Sequence, residues 1–155
     1  MAADGNTSIT AGNKIDISSI ATGDRVAVVG TDRDKRINVN NNSALVGGKN
    51  VQLQAGGDLA LTGSHVTATD SITAEAGGSI ELKAVKDRKM EDAEIGHRGG
   101  FYYNRVMTDD EKVQGSSMSA GGDISLQSGR DINIISSNIA SEQAKLLPMQ
   151  QVRSI

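Results

Sequence analysis

Four aspartates, Asp58, Asp70, Asp123 and Asp131, each stand one or two residues ahead of a short apolar run. Carboxylates in glycine-rich turns are calcium chemistry, but a calcium β-roll repeats in nonapeptides and brings a second aspartate to each turn. Here each turn offers one carboxylate, and Asx-turn formation at strand starts accounts for it. The two histidines, His65 and His97, lie in different segments, and the chain has no cysteine. That is no ligand set for a transition metal, so no metal and no cofactor are assigned. His65 takes the place that Asn138 holds in a later copy of the same phrase, as an ordinary polar residue would. The densest collection of reactive groups is Glu91, Asp92, Glu94, Arg98, Tyr102 and Arg105. Paired carboxylates with arginine and aromatic rings are the tools of polysaccharide lyases and hydrolases. From 86 to 112, however, six basic residues face seven acidic ones, the balance of a solvated arm. No nucleophile elbow, phosphate loop or dinucleotide fingerprint is present, and no catalytic residue is assigned.

The elements that would position these groups are set by an internal repeat. Gly56-Gly57-Asp58-Leu59-Ala60-Leu61-Thr62-Gly63-Ser64-His65-Val66 returns as Gly129-Arg130-Asp131-Ile132-Asn133-Ile134-Ile135-Ser136-Ser137-Asn138-Ile139, and in part as Gly77-Gly78-Ser79-Ile80-Glu81-Leu82. Val51 to Ile72, Leu59 to Ile80 and Leu45 to Val66 are each separated by 21 positions. One offset of 73 lays Met118, Ile124, Ile132 and Ile139 on Leu45, Val51, Leu59 and Val66. Each unit of about 21 residues thus holds three short alternating runs punctuated by Gly, Asn, Asp and Ser, which is strand and turn chemistry. Such a unit cannot bury its inward face alone and must stack on its neighbours. The economical solution is an all-β, right-handed parallel β-helix with coils about 4.8 Å apart. An aliphatic interior and a 2% aromatic content suit a narrow lumen. Asn38, Asn40-Asn41-Asn42, Asn133 and Asn138 are expected at coil corners as amide ladders. Net charge is −3, so nothing steers the chain toward nucleic acid, and no window is apolar enough for a membrane helix.

The repeat stops at Val85 and resumes near Gly115. Between them lie 13 of the 35 charged residues and every aromatic of the chain, Phe101, Tyr102 and Tyr103. A long insertion in a solenoid leaves between two strands and returns, so 86–114 is expected as a surface β-hairpin or arm turning at Gly99-Gly100. The rings either pin the arm to the coil flank or, with Arg98 and Arg105 beside them, contact a partner, as exposed aromatics do at interfaces. A smaller insertion is expected where Val26 to Ile37 spans 11 residues instead of 8, as a charged corner loop over Thr31 to Arg36. Ile9 and Ile15 stand at the spacing of Val66 and Ile72, as do Ile20 and Val26, with no full coil between them. The repeat begins and ends in mid-phrase, as a single β-helix segment (1–155) of a longer array would.

Ser119-Ala120-Gly121-Gly122-Asp123-Ile124-Ser125-Leu126, Ser128 to Ile134 and Ala55 to Ser64 together resemble the haemagglutinin repeats of filamentous haemagglutinin and of contact-dependent growth inhibition exoproteins. The resemblance covers about 43–85 and 115–140 well and 5–42 more loosely, and charged insertions such as 86–114 interrupt the repeats of that family too. It implies a structural or adhesive filament segment of a large bacterial exoprotein. Its partners would be an outer-membrane two-partner secretion transporter, neighbouring coils of the parent chain, and a receptor on a target cell or host. The implied place is the exterior of a Gram-negative outer membrane, in either an adhesin or a toxin-delivery protein. The other classes are a carbohydrate-active β-helix enzyme and a polysaccharide-binding module, marked respectively by two carboxylates in a groove and by rings lying flat beside a cleft. Unpaired strand edges at the coil ends invite end-to-end association, and 141–155 is expected as an end cap.

Overall fold

The computed structural model describes residues 4–23, 27–28, 35–96, 103–142 and 152–154, and among them every regular element is a strand. In chain order these are β1 (Thr7–Ala11), β2 (Ile15–Ser18), β3 (Ile20–Thr22), β4 (Ala27–Val28), β5 (Lys35–Asn42), β6 (Leu45–Ala55), β7 (Leu59–Thr62) and β8 (His65–Ala76). They continue with β9 (Ile80–Lys83), β10 (Val85–Gly96), β11 (Tyr103–Gln114), β12 (Ser117–Ala120), β13 (Ile124–Ser128), β14 (Ile132–Ile135), β15 (Asn138–Ser141) and β16 (Val152–Ser154). The chain forms two compact units, Met1–Ile20 with Ser43–Val85 and Gly115–Ile155, and Ala21–Asn42 with Lys86–Gln114.

In the first unit every pairing among the described strands is parallel, and apolar residues stack on apolar residues along three ladders. One runs Val46, Val66, Met118, Ile139. A second runs Ile9, Leu53, Ala74, Leu126, and a third Ile15, Leu59, Ile80, Ile132, Val152. The three runs of the repeat are these three faces, with β6 and β8 each passing without interruption from the first face to the second. The expected partners Val51 with Ile72 and Leu59 with Ile80 meet 21 residues apart. Leu53, Leu59, Leu61, Val66, Ile72, Ile80, Leu82 and Met118 are fully buried. At about 1.5–3 kcal/mol for each large side chain removed from water, this column is the source of the unit's stability.

Two expectations of register need correcting. Leu45 does not stack on Val66: it faces His65, Val46 faces Val66, and a β-bulge between Gly48 and Asn50 restores the period. Burial decides it, since Val46 is 6% exposed and Leu45 is 48% exposed. At the start of the chain, Ile9 and Ile15 match Leu53 and Leu59, not Val66 and Ile72. The asparagines also differ from expectation. Asn38 and Asn40 to Asn42 lie in β5 of the second unit, and in the first unit the Asn50 amide donates to Asn6 Oδ1 at 2.9 Å while the Ser71 hydroxyl donates to Asn50 Oδ1 at 2.7 Å.

The Gly-Gly phrases have a reason beyond turn chemistry. Gly56, Gly77 and Gly129 stack at one corner, where the N–H of each donates to the carbonyl of Ala11, Ala55 and Ala76 at 2.9, 3.0 and 2.9 Å. A Cβ on any of the three would sit 2.3 Å from the carbonyl oxygen of the glycine below, so the coils approach too closely for a side chain. A serine column supplies the buried polar contacts. Ser116 Oγ donates to the carbonyls of Lys83 and Leu61 at 2.6 and 3.1 Å and accepts the Ser64 N–H at 3.2 Å, and Ser137 Oγ accepts the Ser116 N–H. Asp58 caps across coils, its carboxylate accepting the N–H of Ser79 at 2.8 Å, 21 residues on.

Candidate contact surface

The second unit is built from different material. Its sheet runs β11-β10-β5-β3, with β4 also on β5. The β5–β10 pairing is antiparallel and places Val39 opposite Arg88, Asn38 opposite Lys89 and Ile37 opposite Met90. The alternation of Arg88, Met90 and Asp92 on one face of β10 is strand periodicity, and charge decides what lies across from it on β11. Lys86 Nζ pairs with Glu111 Oε2 at 3.0 Å, and Arg88 grips Asp109 through Nε and Nη2 at 3.0 and 2.8 Å. Arg105 grips Asp92 through Nε and Nη2 at 2.8 and 2.6 Å. Partners fall from 111 to 105 as the first strand rises from 86 to 92, the signature of an antiparallel pair, which sets Met107 opposite Met90.

The sequence missed the share of the first segment. The corner loop expected over Thr31 to Arg36 is replaced by a wider departure in which 21–42 belongs to the second unit and supplies β4, β5 and most of β3. Thr31 to Asp34 lie outside the described residues, while Lys35 and Arg36 open β5. Ile20 is 70% exposed where the coil ends. Asn41 fastens the two segments: its backbone N–H and its side-chain amide both donate to Asp87 Oδ1, at 2.7 and 2.9 Å, and the amide also donates to the Lys86 carbonyl. The run of asparagines was the available signal, because asparagine satisfies a backbone group and a carboxylate at once.

Electrostatics follow from these contacts. The Asn41 side-chain and backbone hydrogen bonds, aided by the charge of Lys112, hold the Asp87 carboxyl below the usual aspartate value against a small opposing effect of burial. The Arg88 hydrogen bonds lower Asp109, and Asp109 raises Arg88 in return. Of the residues singled out for partner contact, Arg105 is exposed on β11 with its guanidinium engaged by Asp92. Tyr103 opens β11, but its side chain is not among those described, and Arg98, Phe101 and Tyr102 lie outside the described residues. The described side chains of β11 from 105 to 113 are all exposed, Val106, Met107 and Val113 among them.

On the first unit, a shallow depression of about 420 Å³ is lined by Asp4, Leu45, Gly47, Gly48, Lys49, Thr67 and Thr69. Beside it Thr69, Asp70, Ser71, Gly121, Gly122 and Asp123 line another. Neither lining includes an aromatic ring on which a sugar would stack. His65 Nδ1 lies 2.7 Å from Ser117 Oγ, and Ser117 pairs in turn with Asn138, so His65 and Asn138 do share one position of the repeat.

Parallel ladders of aliphatic residues on a period of about 21 residues, closed by glycine corners and interrupted by charged strands, define a β-helix-like repeat protein. The chain belongs to the family whose model is described as the hemagglutinin repeat, which matches residues 4–100 and 102–147. A curated relative, the tRNA nuclease CdiA of Yersinia mollaretii, is 26% identical over 164 residues, an alignment covering 86% of this chain and 5% of that protein. The chain therefore spans about one twentieth of the length of the relative it matches. No solved structure gives a significant match.

Proposed function

We propose that this chain is a structural and adhesive segment of a large secreted bacterial exoprotein, folded as a right-handed parallel β-helix, with the inserted segment 86–114 as its contact surface. The division of material between the two units is the observation that carries the reading. The first unit buries most of its aliphatic residues in stacked ladders, while the described side chains of β11 in the second are exposed from 105 to 113 and carry apolar residues beside paired charges. The ladders provide reach, since each coil adds about 4.8 Å along the stack. The sheet provides a surface, and Phe101, Tyr102, Tyr103, Arg98 and Arg105 supply the anchoring residues that interfaces favour. The similarity to the hemagglutinin repeat and to a tRNA nuclease CdiA supports a parent that acts in adhesion or in contact-dependent toxin delivery. Its partners are then an outer-membrane transporter of the two-partner secretion type and a receptor on a target cell, and its place is the exterior of the Gram-negative cell surface. The test is binding of the fluorescently labelled whole chain to bacterial and host cells. Saturable binding lost in a Phe101→Ala/Tyr102→Ala/Tyr103→Ala variant that melts like wild type supports the contact surface. Equal binding by that variant moves the contact elsewhere.

A further inference from the structure

The edge strand β11 has a self-complementary pattern. Among the described strands it forms one end of its sheet, with β10 on its inner side. It is 12 residues long, where edge strands are normally short or twisted away, and its described side chains from 105 to 113 are exposed on both faces. One face carries Arg105, Met107, Asp109 and Glu111, and Met107 is 69% exposed.

We propose that β11 pairs with β11 of a second copy of this chain, antiparallel, about a two-fold axis through Met107. At that register Met107 meets Met107 of the partner, and the row Ile37, Met90, Met107 continues as its mirror sequence into the partner sheet. Arg105 comes opposite the partner's Asp109, and Asp109 opposite the partner's Arg105. Two of the ion pairs already on the sheet, Arg88 with Asp109 and Arg105 with Asp92, then extend into rows of alternating sign. Arg88 and Asp109 are followed by the partner's Arg105 and Asp92, and the same row repeats by symmetry on the other side of the axis. On the opposite face Val106 meets the partner's Thr108, a β-branched cross-strand pair. Centring the axis on Asp109 or Asp110 instead sets like charges directly opposite, so the charge pattern selects among registers. The interface is isologous and closes at two copies.

Because the chain has no cysteine, single cysteines read the register directly. Opposed residues of an antiparallel pair have Cα atoms about 4.5–5.5 Å apart, within disulfide reach. Oxidised Met107→Cys should therefore run as a covalent dimer, while Asp110→Cys, about 20 Å from its symmetry mate at six residues of strand, should remain single. Sedimentation of the unmodified chain should show a monomer–dimer equilibrium weakened by salt. Met107→Lys should raise the dissociation constant roughly tenfold or more, since it sets two cations face to face. Val113→Lys, whose symmetry position lies beyond the strand, should leave it unchanged. Monomer mass up to the solubility limit, an open series of oligomers insensitive to Met107→Lys, or equal crosslinking at 107 and 110 would each overturn the proposal. Circular dichroism of the reduced Met107→Cys chain guards against misfolding. All readouts use purified chain without cells, so their failure is distinct from a failure of cell binding.

Discussion

Gly77→Ala tests the reason for the glycine corners. The added Cβ would lie 2.3 Å from the Gly56 carbonyl oxygen and 3.1 Å from its carbon, both backbone atoms of the adjacent coil. Ordinary van der Waals contact begins near 3.4 Å, so the coils must part locally by about 1 Å. That movement stretches the Gly77 to Ala55 and Gly78 to Gly57 hydrogen bonds, now 3.0 and 2.8 Å. Overpacking costs about 2 kcal/mol and the two weakened bonds together about 1 kcal/mol, about 3 kcal/mol in all. For a chain of this size the midpoint of thermal unfolding should drop by roughly 6–12 °C, measured by calorimetry on the whole chain. Gly12→Ala is the internal control, because nothing lies within 4 Å of a Cβ at Gly12, the first glycine of the same column. It should shift stability by no more than about 0.5 kcal/mol. Equal melting of the two variants would refute the close-approach argument and return these glycines to turn chemistry.

Ile80→Ala removes a fully buried side chain from the centre of the third ladder and should cost about 2–5 kcal/mol in urea unfolding. Arg105→Ala leaves the Asp92 carboxylate, 12% exposed, without its bidentate partner; a loss of about 1–2 kcal/mol should appear as faster hydrogen exchange of β10 and β11 amides. Asp87 and Asp109 titrate below their ordinary value of 3.8 in the folded chain. Their contribution is therefore complete above the ordinary carboxylate range and lost as pH falls through 3.8 and below, so exchange protection in the second unit should decline first under acid. Deleting 144–155 removes β16, which pairs with β14 through Ile132 and Val152, and should raise light scattering as that edge is bared.

Much of the first unit is legible in the sequence because its ladders require a strict period. Val51, Ile72 and Ile124, or Leu59, Ile80 and Ile132, have one environment and one type of side chain, so spacing alone pairs them. Leu45 misled because a β-bulge shifts the register by one residue and exchanges which of two adjacent aliphatic residues faces inward. The glycine corners were visible as letters but not as a cause, since close approach between coils leaves no mark on local turn preference. The second unit was half legible. Its charged segment stands out by composition, yet nothing periodic joins 86–96 to 35–42, and the hydrogen bonds of Asn41 to Asp87 span 46 positions. The serine column at 64, 116 and 137 repeats at the ladder offsets, but serine is so common in turns that its type does not signal the burial of Ser64 and Ser116.

Ile15 meets Leu59 across 44 residues, and Ile80 meets Ile132 across 52, with the same side-chain register as neighbours that are 21 apart. The stack thus counts rungs and ignores contour length. The segments that leave at 21 and at 86 interrupt the count without shifting a rung, and they pair with each other in a sheet of their own. Surface diversity and scaffold integrity are decoupled in the coding sequence, and related chains are expected to keep the ladder residues while exchanging what they carry between them.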